Sequence, residues 1–244
     1  MWYGIVSLFP ELFSALKFGV VGRALDSGII KTEYWNPRDF AEDNYKIVDD
    51  KPYGGGPGMV MMAPPLIKTI QAAKKAAPFP PTVVYVSPQG KIFDQQAAQY
   101  LSKKESIIFV SGRYEGIDER VFSEIDEEWS IGDYVLSGGE IPILAMIDAI
   151  SRLIPGVVKE VDSIQQDSIT TGLLKYPQYT RPPVYDQQAV PDILLSGDHE
   201  DIAAWRLLES LLKTETKRPD LLKKREISES EQQLLRKFLK KIAS

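Results

Sequence analysis

Apolar and polar residues alternate along the chain in blocks rather than singly. Three apolar runs, "GIVSLFP" from Gly4, "TVVYVSPQG" from Thr82 and "IIFVSGRYEG" from Ile107, are rich in β-branched and aromatic residues and have the length of strands. None alternates cleanly, which is the pattern of strands buried on both faces. Each ends in similar punctuation: Ser7 before Pro10, Ser87-Pro88 before Gly90, and Ser111-Gly112. Between them, "LIKTIQAAKKAA" and "DQQAAQYLSKK" have helical composition and length. This alternation predicts an α/β domain with a largely parallel sheet. Ligands of such sheets bind at the carboxyl ends of strands, where "SPQG" and "SGRYEG" fall.

The stretch from Pro142 to Leu153 is apolar nearly all round, so a helix there is buried or forms a partner interface; Pro155-Gly156 ends it. A polar, Pro-rich segment without period follows and reads as a linker. From Ser196 the pattern is helical again, with Ser196 and Asp198 as candidate caps and Ser228/Glu231 as a capping box. Together with the resemblance described below, this gives an expected organisation of a domain over residues 1–159, a flexible linker over 160–175 and a helical domain over 176–244.

Composition narrows the chemistry. Hydrophobic content of 43% and charged content of 26% are ordinary for a globular protein, and 244 residues suffice for one large domain or two modest ones. The N-terminus lacks a basic segment before its short apolar run, and Asp148 and Arg152 interrupt the most apolar stretch. Neither a signal peptide nor a membrane span is expected, and the cytoplasm is the expected location. Without cysteine, and with His199 as the sole histidine, thiolate and His-rich metal chemistry are set aside. Catalysis therefore falls to carboxylates, arginines, lysines or backbone amides. The net charge of −5 is uneven: residues 201–244 hold 11 Lys/Arg against 7 Asp/Glu, so a basic segment follows an acidic body, as suits a polyanionic partner.

Three further stretches are candidates for chemistry. "DDKPYGGGPGMVMM" has four glycines between Gly54 and Gly58, but no Gly-Lys-Ser/Thr follows, so it is not a phosphate loop of that type. "VSGRYEGIDER" sets Arg113-Tyr114-Glu115 between Gly112 and Gly116, and its charges could equally pair with one another. "SIGDYVLSGGE", from Ser130, places three glycines just before the apolar helix, as a tight cap or as a backbone cradle for a small molecule.

Taken with "SLFPELF", "NPRDF", "SRLIPGV", Asp167-Ser168, "YTRP" and "LLSGDHEDI", these motifs resemble the bacterial tRNA (guanine-N1)-methyltransferases of the TrmD type over essentially the whole chain. The resemblance implies a SPOUT-type parallel sheet with a deep trefoil knot, followed by a small helical tRNA-binding domain. It also implies a homodimer with the active site at the subunit interface. The substrate would be tRNA, methylated on the guanosine immediately 3′ of the anticodon, and the donor S-adenosyl-methionine. The cofactor's expected contacts are Pro88, Gly90, Gly112, Arg113, Tyr114, Glu115, Gly116, Ile131, Gly132, Tyr134, Leu136, Gly138, Gly139 and Pro142. By the same resemblance Arg152 holds guanine O6, Asp167 takes the N1 proton after ordering with tRNA, and Glu115 helps hold guanine, the cofactor's charged end or a metal. Magnesium is associated with the family, though no metal-ligand spacing suggests it.

Two departures stand out: Gln178 occupies a family histidine position before "YTRP", and Ser111 occupies a cysteine position. The competing readings are a related knotted methyltransferase acting on another RNA nucleotide and an idle RNA-binding dimer. The presence of both Arg152 and Asp167 weighs against the second.

Overall fold

The computed structural model describes residues 1–158, 167–223 and 225–243. The chain divides into two compact units, Met1–Lys159 and Glu160–Ser244. Residues 160–166 of the expected linker lie outside the described residues.

The first unit is built on a parallel sheet. Its strands are β1 (Trp2–Val6), β2 (Lys31–Trp35), β5 (Thr82–Ile92), β6 (Ser106–Ser111) and β7 (Glu127–Ser130), in the order β2-β1-β6-β5-β7. A separate two-stranded ribbon pairs β3 (Asp49–Asp50) with β4 (Val60–Met61). All four neighbouring pairs of the large sheet are parallel, with Trp2 opposite Lys31 on one side and Ser106 on the other. The apolar runs lack alternation because both faces are covered. Ile107 and Phe109 point into a core with Tyr3, Ile5 and Val84, while Ile108 and Val110 point into another with Val6, Val83 and Tyr85.

Helices α1 (Gly19–Asp26), α3 (Gln95–Leu101) and α4 (Glu140–Ser151) contribute to the first core, and α2 (Ala63–Ala76) to the second. The apolar helix expected over 142–153 is α4. Ile143, Met146, Ile147 and Ile150 are fully buried, while Ile141 is exposed. A hydrogen-bond contact of 3.2 Å between Tyr3 Oη and Ser151 Oγ ties the end of α4 to β1.

One element differs from its sequence reading. "SPQG" is not a loop after a strand but an irregularity within β5, whose register on β7 shifts between Val86 and Lys91. Ser87 makes the bend: its Oγ accepts from Gln89 N at 3.0 Å and donates to Glu128. Gly90 then brings β5 back to its neighbour, since a Cβ there would stand 2.5 Å from Trp129 N.

In the second unit a small hairpin joins β8 (Val184–Tyr185) to β9 (Gln188–Ala189), with positive φ at Asp186 and Gln187. After a short 3-10 helix, Asp192–Leu195, come α5 (His199–Lys217), α6 (Pro219–Leu222) and α7 (Glu229–Ala243). Asp198 caps α5 by accepting from Glu200 N and Asp201 N, each at 3.1 Å, and His199 is the first helical residue. The capping box stands as read: Ser228 N donates to Glu231 Oε2 at 2.9 Å and Glu231 N to Ser228 Oγ at 3.3 Å. Among the described residues no helix is long and apolar enough to cross a membrane.

Candidate active site

At the irregularity within β5 and the carboxyl ends of β6 and β7 the first unit holds a cleft of about 350 Å³. Of the fourteen expected cofactor contacts, all but Gly90 line it. Gly90 serves the strand geometry instead, as its contact with Trp129 requires.

The cleft owes its form to the interlock of two loops. Residues 112–116 and 131–139 meet at a bridge between Arg113 and Gly138, and Gly139 N donates to Gly112 O at 3.0 Å. The Arg113 side chain clamps them. It donates from Nη1 to Ser137 O at 3.1 Å, lies over the Phe9 ring with Cζ 4.6 Å from the centroid, and pairs with Glu140 at 2.9 Å. Glu140, only 1% exposed, also accepts from Ser7 Oγ at 2.8 Å. A charge so buried requires a partner, and Arg113 supplies it. The sequence alternative of local pairing holds for Asp118 and Arg120, which are hydrogen-bonded at 2.7 and 2.8 Å, but not for Arg113.

Glycine is needed where the loops touch. A Cβ on Gly138 would stand 2.6 Å from Arg113 Cδ, and one on Gly112 would stand 2.7 Å from Tyr85 Oη. Tyr114, between the two bracketing glycines, takes the left-handed conformation at φ 59°, and its ring is half-exposed at the cleft.

Glu115 is held from the other side. Its N–H donates to Met59 O at 2.9 Å, and Met61 N donates to Gly116 O at 2.9 Å. The end of the glycine-rich 54–58 segment is thereby stitched to the cleft's wall. Gly58 lies against the Glu115 side chain, whereas Gly54, Gly55 and Gly56 face open space.

Sequence reasoning missed part of the lining. Tyr85, Val86, Glu128 and Ser130 contribute to the cleft. Burial first, and then the nearby Glu128 charge, push the Tyr85 hydroxyl up to about 12. Glu128 lay within an acidic run with no mark to separate it from solvent-facing neighbours; its pairing with Ser87 depends on the strand register.

The lining suits an adenosine-bearing ligand. Apolar side chains of Val86, Ile131, Leu136 and Pro142 stand beside glycine backbone, which leaves main-chain groups accessible at close range. Among the described residues no group of three or more metal-ligating side chains is placed to hold an ion.

The two expected catalytic residues lie outside this lining. Arg152 caps the C-terminus of α4, with its N–H on Asp148 O at 3.2 Å. Asp167 belongs to the second unit, where Lys175 Nζ lies 3.4 Å from its Oδ1. Both residues make further interactions. Asp167 borders a shallow cavity of about 190 Å³ with Lys175, Tyr176, Arg206 and Arg225. Gln178 follows Pro177, close in sequence to Tyr179, whose ring lies 6.5 Å from that of Trp205.

Residues 1–224 match the family described as tRNA (Guanine-1)-methyltransferase TrmD. The chain is 52% identical over 242 residues to a tRNA (guanine-N(1)-)-methyltransferase of Vibrio cholerae, covering 98% of each chain. A protein of the same name from Tolumonas auensis is 52% identical over 244 residues, which span 99% of this chain and 98% of that one. Another, from Shewanella woodyi, is 53% identical over 241 residues, 98% and 97% of the two lengths. The matched region contains the whole cleft together with Arg152 and Asp167. This chain belongs to the tRNA (guanine-1)-methyltransferase TrmD family.

Proposed function

We propose that this protein methylates N1 of the guanosine immediately 3′ of the tRNA anticodon, using S-adenosyl-methionine, and so supports reading-frame maintenance. The observation that carries the reading is family membership over residues 1–224, a span that contains the cleft and both candidate catalytic side chains. The cytoplasm is the proposed location.

S-adenosyl-methionine, when bound, supplies an electrophilic methyl group. Ile131, Leu136 and Pro142 would hold its adenosine, with the backbone of Gly112–Gly116 also lining the cleft. The protein's remaining task is a proton. Guanine N1 carries a hydrogen and is a poor nucleophile until it loses it, so a positioned base is required. Asp167 accepts that proton. Electron density then grows on guanine O6, which the Arg152 guanidinium stabilises. Glu115, fixed by its main-chain bond to Met59, helps orient the base.

The remaining parts of the proposal concern assembly. The first unit forms the trefoil knot of its superfamily, and a homodimer brings Asp167 of one protomer to the cleft of the other. The second unit engages tRNA through the basic 201–244 region. Support for this last point is the local excess of positive charge on an otherwise acidic chain.

Asp167→Asn tests the chemistry. The amide keeps the shape but cannot accept the proton as a carboxylate does. Single-turnover methylation with saturating enzyme should slow by roughly 10²–10⁴-fold, the usual contribution of a positioned base. S-adenosyl-homocysteine should still raise the variant's melting temperature. A rate within about threefold of the parent, well short of that range, would remove Asp167 from the role.

A further inference from the structure

Residues 167–175 close on themselves. Ile169 N donates to Leu173 O at 2.7 Å, Gly172 N to Ile169 O at 2.9 Å and Thr170 N to Asp167 O at 3.3 Å. Lys175 N completes the ring by donating to Ser168 Oγ at 3.0 Å. Positive φ at Ile169 and Gly172 turns the chain back on itself. The two ends of the segment thus lie side by side, and Lys175 Nζ is 3.4 Å from Asp167 Oδ1.

The closed loop is also anchored within its own unit. Leu173 is buried, and Leu174 N donates to the buried Thr214 Oγ1 at 2.8 Å. Lys213 Nζ donates to Lys175 O at 3.1 Å and Arg225 Nε to Thr171 O at 2.8 Å. Lys175 is therefore fixed through its own main chain at both N–H and C=O, and its ammonium is delivered to Asp167 by a braced backbone. A partly exposed ion pair adds little to stability. The braced backbone sets where the ammonium stands relative to that carboxylate.

We infer that Lys175 is a positioning residue for methyl transfer: it holds Asp167 Oδ1, fixing the rotation of the carboxylate that takes the guanine N1 proton. The inference rests on the proposed role of Asp167. Because the pair is internal to a loop closed by its own hydrogen bonds, Lys175 accompanies Asp167 wherever that loop is placed. A carboxylate that loses one of its holds spends less time in the reactive geometry, and small misplacements at a reacting centre cost up to about 10²-fold.

The test uses full-length Lys175→Met, Lys175→Arg, Asp167→Asn and the Asp167→Asn/Lys175→Met double variant. Single-turnover rates are measured at saturating tRNA and cofactor, with tRNA and S-adenosyl-homocysteine affinities measured separately. Lys175→Met should lower the saturated rate by roughly tenfold, within the range for misplacement, with both affinities held. Lys175→Arg, which keeps a cation within reach, should recover most of it. The double variant should be no slower than Asp167→Asn, because two residues acting through one group are not additive.

A parental saturated rate for Lys175→Met would overturn the inference. So would a defect confined to tRNA affinity, which would mark Lys175 as a phosphate contact. Full additivity in the double variant would overturn it as well, since Lys175 would then act elsewhere. If Asp167→Asn itself turned over at the parental rate, the proton-acceptor reading would fall and take the inference with it. That outcome is recognised from the single Asp167 variant alone.

Discussion

The cleft of the first unit and the 167–175 loop of the second are closed by opposite means. Around the cleft, closure depends on what the loops lack: Gly112 lies under Tyr85 and Gly138 against Arg113, where a Cβ would stand within 3 Å, and Gly139 fits tightly against Ser111. The 167–175 loop is closed instead by donors and acceptors, with Ser168, Thr214, Lys213 and Arg225 each bonding to its main chain. The first design is intolerant of added volume. The second tolerates volume and is sensitive to the loss of polar atoms. On the proposed function, the former would suit a ligand enclosed by backbone and the latter the carboxylate that takes the proton.

Removing the one charged clamp of the cleft should have the largest effect. Arg113→Ala leaves Glu140 buried without its cation, which typically costs about 3–5 kcal/mol. Urea unfolding should report that loss, together with loss of S-adenosyl-homocysteine binding. A loss below about 1 kcal/mol, far short of the buried-pair range, would mean that Ser7 alone satisfies Glu140.

Adding volume should come next. Gly138→Val forces the Arg113 side chain away from the bridge, and overpacking of this kind costs about 1–3 kcal/mol. Calorimetry should find cofactor affinity weakened by roughly five- to 150-fold if the bound state bears that energy. Gly55→Val meets open space but strains a backbone held at φ 80°, so it should lower the melting temperature while leaving cofactor affinity nearly unchanged. Equal effects at the two positions would erase the distinction between packed and open glycines.

The 167–175 loop should answer to polarity. Thr214→Val conserves shape but removes the acceptor for Leu174 N, a loss of about 1 kcal/mol. Methyl transfer should slow while cofactor affinity holds. Cofactor affinity falling in step with the rate would show that the two regions do not act separately.

The smallest effect belongs to Ser111. Its Oγ is buried against Gly139 and has no hydrogen-bond partner among the described residues. Ser111→Ala should leave stability unchanged or raise it by up to about 1 kcal/mol, since an unpartnered hydroxyl gains nothing from burial. A clear fall in melting temperature would mean that the hydroxyl is satisfied after all.

The difference between the regions also explains what could be read from sequence. Strands buried on both faces declare themselves locally, so the runs ending at Ser7, Ser87 and Ser111 marked the sheet, and the adjoining glycines marked the cleft. The continuation of β5 through Ser87–Gly90 was hidden because it depends on register against Trp129. Arg113 looked like part of a local charge run, yet its partner Glu140 is distant in sequence. The order of residues 167–175 was least legible of all. Their polar, aperiodic composition reads as linker, while the groups that bond to them lie on residues 213, 214 and 225, far along the chain. Periodicity reports neighbours on one element and is silent about such contacts.

The most direct test of the account follows the methyl group itself. The full chain is incubated with tRNA bearing guanosine 3′ of the anticodon and S-adenosyl-methionine labelled in the methyl group. The tRNA is then digested, its nucleosides are separated, and the labelled nucleotide is located in the sequence. The account predicts label in 1-methylguanosine alone, at the nucleotide following the anticodon, and none when adenosine replaces that guanosine. Label on a ribose oxygen, on another base or at another position would contradict it, as would cofactor binding without any transfer.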